Sequence, residues 1–97
     1  MHNSLVTVLP SALPGSSIIT AGLADLARGV ESTAALVVAI GAPRLRDLGV
    51  PVPPGPEHPE HRLYHLLAAE DANAAHSRYN ALIRRLVSFE RALACAR

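Results

Sequence analysis

Two stripes of apolar residues at helical spacing organise this chain. Ile19, Leu23, Leu26, Val30, Thr33, Val37 and Ile40 recur at alternating steps of four and three, the interval that places side chains on one face of an α-helix. Ala68, Ala72, Ala75, Tyr79, Leu82, Leu86, Phe89 and Leu93 repeat the same steps in the second half. The pattern predicts two amphipathic helices, the first over 16–48 and the second over 60–96. Ser16 or Ser17 is placed to cap the first, because a hydroxyl at that position accepts a hydrogen bond from an orphan amide of the first turn. Pro43 lacks an amide hydrogen and crowds the preceding turn, so a kink is expected near it, and Gly49 is a natural C-terminal stop. Gly22 and Gly29 lie seven apart beside the first stripe, which points to a close approach by another helix. Two local alternatives stand beside this reading: a strand over Leu36 to Ile40, whose composition is β-compatible, and a break near Asp71 to Asn73 that would divide the second helix.

The segments between and before the stripes are of other kinds. Residues 49–59 hold five of the eight prolines, and a run that rich in proline reads as a semi-rigid spacer. Residues 1–15 read as an extended arm, since the β-prone run from Leu5 to Leu9 is stopped by Pro10 and followed by turn residues. The fold class is therefore all-α: a helical hairpin of two long amphipathic helices in one 1–97 domain, with a Pro-rich connection and an N-terminal arm. At 1.5 Å per residue the second helix would run to ~55 Å and the first to only ~45 Å. Two helices leave the rim of each stripe wet, so the bundle is expected to be completed by oligomerisation or by docking on a larger partner.

Composition agrees with a folded helical chain. Hydrophobic residues make up 49% of the 97 positions and charged residues 18%, too apolar for intrinsic disorder. Aromatics are only 3%, namely Tyr64, Tyr79 and Phe89, so Leu, Ile, Val and Ala must build the core. The net charge of +1 carries no global signature of nucleic-acid binding. Charge is nonetheless divided: residues 78–97 hold five arginines against Glu90, and residues 1–77 hold four against seven acids. Every cationic side chain is arginine. The lone Cys95 excludes an intrachain disulfide and a cysteine-based zinc site. Met1 to Ala24 has no Asp, Glu, Lys or Arg, yet it lacks a basic leader and is interrupted by Pro10 and Pro14, so it reads as neither signal peptide nor anchor. A cytoplasmic protein without a membrane span is expected.

Candidate chemistry is sparse. His58, His61 and His65 are the one cluster of metal-ligand type. His61 and His65 stand four apart on one helix face and would present two imidazoles to one ion. Arg62 follows His61 where a zinc metalloprotease motif requires glutamate. Asn73, His76, Ser77, Asn80, Arg84 and Arg91 form a polar face, but Ser77 lies about 100° around the helix from His76, so no nucleophile meets its base. No glycine-rich phosphate loop occurs and no cofactor is expected. The arginines Arg78, Arg85, Arg84 and Arg91 are expected to bracket the second stripe, which suits a seam between helices better than a ridge for nucleic acid. The sequence thus points to a small non-enzymatic protein–protein interaction module, an adaptor, inhibitor or regulatory subunit. Its contact residues would be Tyr79, Leu82, Arg84, Arg85, Leu86, Phe89 and Leu93, with a protein partner or a second copy as the target. A nucleic-acid-binding regulator using the arginine-rich C-terminal segment and a metal-binding helical protein using His61 and His65 are the alternatives.

Overall fold

The computed structural model describes residues 13–96, which are all helix and connecting turns, with no strand among them. Four helices follow one another: α1 (Ser16–Ala27), α2 (Thr33–Asp47), α3 (Pro59–Glu70) and α4 (Ala75–Ala96). Each of the two long helices expected from the stripes is divided in two. The break in the first stripe is a turn with complete local bonding. The amide of Val30 donates to the Asp25 carbonyl at 2.8 Å and that of Gly29 to the Leu26 carbonyl at 3.1 Å, the double closure that ends a helix on a left-handed residue. Gly29 holds φ +73°, a conformation that only glycine enters without steric cost. The new helix is then capped by Ser32, whose hydroxyl accepts from the Ala35 amide at 3.1 Å and donates to the Asp25 carboxylate at 2.5 Å. Arg28 closes the network on the same carboxylate. The Ser32 hydroxyl first, and Arg28 second, hold the Asp25 carboxyl below its ordinary 3.8. This part of the turn's stability is therefore present above that value and lost on acidification through the lowered one.

With the chain turned back at Gly29, the second half of the stripe faces a different neighbour. Val30, expected on the apolar seam, is instead 43% exposed at the turn. Gly22 supplies the close approach between α1 and α2: a Cβ built on it would lie 2.3 Å from the Ala34 carbonyl oxygen and 2.4 Å from a Val38 methyl. The start of α1 also differs from expectation, since Gly15 occupies the cap and Ser16 is the first helical residue, with no side-chain cap bond. Of the expected arm, residues 1–12 lie outside the described residues.

Helix α2 is central and touches each of the other three. Ala35, Leu36, Val37 and Val38 are consecutive and all buried, as they must be in a helix covered on several sides. That is why this run is β-compatible in composition and helical in fact. Pro43 sits inside α2 on its exposed side and the helix continues past it to Asp47, with Gly41 within the same helix. The missing side chain of Gly41 admits α4, a Cβ there falling 2.7 Å from Leu86 Cδ1. Gly49 does end the helix, in the same closure as Gly29, with the Val50 amide on the Leu45 carbonyl at 2.9 Å.

The proline-rich connection is part of the core as well as a spacer. Val50 and Val52 are buried, and the Arg46 guanidinium straps the segment down by donating to the Val52 carbonyl at 3.0 and 3.2 Å and to the Pro53 carbonyl at 3.3 Å. Pro59 opens α3, where its missing amide costs nothing. His58 before it adopts a left-handed φ of +53°. The second stripe breaks at Asp71, the alternative noted for the sequence. The Asp71 carboxylate accepts from the Asn73 and Ala74 amides at 3.1 and 3.3 Å, competing with helical bonding as short polar side chains do. An ion pair between Glu70 and Arg78 at 3.0 Å spans the corner. Beyond it, Ala75, Leu86, Phe89 and Leu93 of α4 turn into the core against α2 and α3.

Three substitutions test this account by urea denaturation followed at 222 nm. Gly22→Ala is expected to cost about 2–3 kcal/mol, because backbone blocks the added methyl, whereas Gly29→Ala, with open space but a left-handed φ, costs about 1 kcal/mol. Equal losses would refute the close crossing. His58→Gly is expected to gain about 0.5–1 kcal/mol by relieving its left-handed backbone.

Candidate interaction surface

The corner at Asp71 folds α4 back along α3 and creates the most distinctive surface of the molecule. Tyr64 and Tyr79, fifteen positions apart, would be ~22 Å from one another on a continuous helix. Their ring centroids are instead 5.9 Å apart, with planes tilted by 54°. Tyr64 is 41% exposed and Tyr79 is half-buried. Glu60, one turn before Tyr64, lines the same open cleft of about 280 Å³ with His61, His65 and the two tyrosines. Burial first, and the Glu60 carboxylate second, raise the Tyr79 hydroxyl above its ordinary 10.0. The Glu60 carboxylate has no ion pair or hydrogen bond with any described residue.

His61 and His65 are exposed on the outer side of α3 with ring centroids 6.2 Å apart. They separate the tyrosine cleft from a second open cleft of about 440 Å³, which Glu31, Leu36, Arg62 and Leu66 also line. The nearest carboxylate across that cleft is already engaged, since the Arg62 guanidinium binds Glu31 at 3.1 and 3.2 Å and the Glu57 carbonyl at 3.1 Å. Among the described residues no group of three or more His, Cys, Asp or Glu stands ready to hold a metal, and two imidazoles fall short of the three or four ligands of a resident zinc. His58 sits at the cap of α3 and does not complete the pair.

The expected contact stripe is divided between interior and surface. Leu86, Phe89 and Leu93 are buried within this chain's own core, so they are not a face for a partner. The break at Asp71 lets α4 lay these side chains on α2, which a straight helix could not do. Tyr79 and Leu82 are half-buried and packed against that core, while Arg84 and Arg85 are exposed. The arginines do not all bracket the stripe. Arg84 and Arg91 each precede a buried leucine by two positions, about 200° around the helix, and so stand on the side opposite the core. Arg85 lies on the flank, and Arg78 is taken by Glu70. Arg84, Arg85 and Arg91 form no ion pair with any described residue, and no acidic residue is exposed on α4.

The polar positions of α4 are locally committed. The Ser77 hydroxyl donates to the Ala74 carbonyl at 3.1 Å, and the Asn80 amide meets His76 Nε2 at 3.2 Å. Cys95 is exposed and free. Among the described residues no helix is long and apolar enough to cross a membrane. Sequence reasoning missed Tyr64. Its spacing from His61 and His65 places it on the same turn of α3, but only the corner brings Tyr79 to it. No protein family, curated protein or solved structure matches this chain.

Glu90 of α4 offers a test of how the crossing with α2 is charged. Its carboxyl lies beside Gly41 and burial pushes it above the ordinary 4.5, with Arg44 partly opposing. The folded chain thus binds this proton more readily than the unfolded chain, and stability falls as pH rises from the ordinary value through the raised one. Glu90→Gln is expected to raise the melting temperature at pH 7 and to lose that advantage below about pH 4. An advantage that persists in acid would refute the assignment.

Proposed function

We propose that this chain is a small non-enzymatic interaction module, an adaptor, inhibitor or regulatory subunit, that docks on a protein partner through the α3–α4 face around Tyr64 and Tyr79. One observation carries the reading: of only three aromatic residues, only Phe89 is fully buried, while exposed Tyr64 and half-buried Tyr79 are brought together from different helices at one open cleft. Tyrosine gives a large contact area with few rotatable bonds and a polar tip, and it is enriched where proteins meet. The flanking His61, His65 and Glu60 form a polar rim of the kind that surrounds such anchors. Open clefts of a few hundred Å³ suit side chains of a partner, and the commitment of Ser77 and His76 to local hydrogen bonds supports a binding role over a hydrolytic one. A cytoplasmic setting fits the free Cys95.

A photoreactive amino acid placed at position 64, with exposed Thr20 of α1 as the control position, tests the proposal in the cells that make the protein. Adducts with another protein are expected from position 64 alone, with Tyr79→Ala reducing their yield by about tenfold, a loss of about 1.4 kcal/mol in binding. Equal labelling from both positions, or none from position 64, would overturn it.

A further inference from the structure

Two sets of charges without an ion pair among the described residues are complementary to one another. On one side stands the notch where Tyr64 and Tyr79 line one open cleft with Glu60, whose carboxylate has no ion pair or hydrogen bond with any described residue. On the other stands the α4 ridge of Arg84, Arg85 and Arg91, three guanidiniums with no ion pair among the described residues and no exposed acid on their helix. A guanidinium is attracted to the face of an aromatic ring, stacks on it, and pairs with a carboxylate, and it is less strongly hydrated than an ammonium. The notch thus offers what an arginine side chain requires.

We propose that the Glu60–Tyr64–Tyr79 notch is a guanidinium-binding site, and that its occupant is an arginine of the α4 ridge from a second copy of this chain. Of the arginines on α3 and α4, Arg62 pairs with Glu31 and Arg78 with Glu70, which leaves the three of the ridge. Notch and ridge share α4, with Tyr79 less than two turns from Arg85. A two-fold arrangement of two copies that sets each notch against the partner's ridge satisfies both sets of charges at once. Such an isologous interface makes every contact twice and closes at two copies. The inference deepens the interaction-module reading, which it rests on for the choice of face.

The full-length protein carries its own probe. It has no tryptophan, and Tyr64 and Tyr79 are its only tyrosines, so tyrosine emission reports on the notch itself. Light scattering over a dilution series is expected to show the mass rising from 10.2 kDa to about twice that. Emission should change in parallel, and raising salt from 50 to 500 mM should weaken the dimer about tenfold or more. Two variants, checked for wild-type helicity by circular dichroism, give the decisive comparison. Glu60→Arg sets a basic ridge against a basic notch, and the triple variant Arg84→Glu, Arg85→Glu, Arg91→Glu sets an acidic ridge against an acidic notch. Each alone should be monomeric, and an equimolar mixture should dimerise again, because both cross-contacts then join opposite charges.

A wild type that stays monomeric at every concentration, or variants that dimerise as well as it does, would overturn the proposal. So would a mixture that fails to recover. A monomer that still gives adducts with another protein from position 64 would sink this inference and leave the broader reading intact, whereas loss of those adducts with an intact dimer would do the reverse. A 20-base-pair DNA duplex is the remaining arm. Salt-sensitive binding lost in the triple variant and kept in Glu60→Arg, by a wild type that remains monomeric, would assign the ridge to nucleic acid and overturn the self-pairing.

Discussion

The structure depends on covering α2. Its run from Ala35 to Val38 has no polar position to turn toward water, so apolar surface must be brought to it from several directions. A chain of this length has few elements to do so, and it uses all of them: α1 along one side, α4 across Gly41, α3 and the valines of the proline-rich segment elsewhere. Alanine and glycine at the crossings let helix backbones approach closely, which matters in a chain that has almost no aromatic bulk to fill gaps. The Gly22 and Gly41 crossings are consequences of this demand, since a side chain at Gly22 would meet the Ala34 backbone and one at Gly41 would displace Leu86.

Wrapping four helices around one another requires three corners, and the first and last are fixed by short polar side chains that prefer turn amides to helical ones. Asp25, Arg28 and Ser32 form one closed network at the first corner. Asp71 makes the other with its own carboxylate, and the Glu70–Arg78 ion pair lies over it. Exposed pairs of this kind add little stability individually. Their effect is geometric, because they decide where each helix stops and therefore which side chains meet. The Tyr64–Tyr79 pair is the clearest result. It is made by a corner several residues from either ring, and the surface offered for recognition is in this sense a product of a capping interaction.

The same geometry sorts the charges. Acids and arginines near the corners neutralise one another locally, in the pairs Asp25 with Arg28, Glu31 with Arg62 and Glu70 with Arg78. Among the described residues, Glu60 at the start of α3 and three arginines along α4 stand outside these pairs. A near-neutral chain thus carries local fields that its net charge conceals, and local fields govern which surfaces come together and how steeply that depends on salt.

Taken alone, the sequence determined the helical class, the stop at Gly49 and the shared apolar face of Leu86, Phe89 and Leu93. These follow from propensity, glycine capping and period, which act within a few turns of the chain. It also marked Gly22 as a point of close approach. It did not separate Gly22 from Gly29, because the apolar stripe runs on through both. What distinguishes an interior glycine from a terminating one is the Ala34 carbonyl against Gly22, and that contact exists only once the hairpin has closed. The break at Asp71 was legible only as an alternative, since an alanine-rich helix and an aspartate-centred turn are close in local free energy and tertiary burial decides between them. Tertiary structure likewise decided that α4's leucines belong to this chain's own core, and that Tyr64 joins Tyr79 at the surface. Both depend on residues far apart in sequence competing for the same apolar partner, and no local pattern records the outcome of that competition.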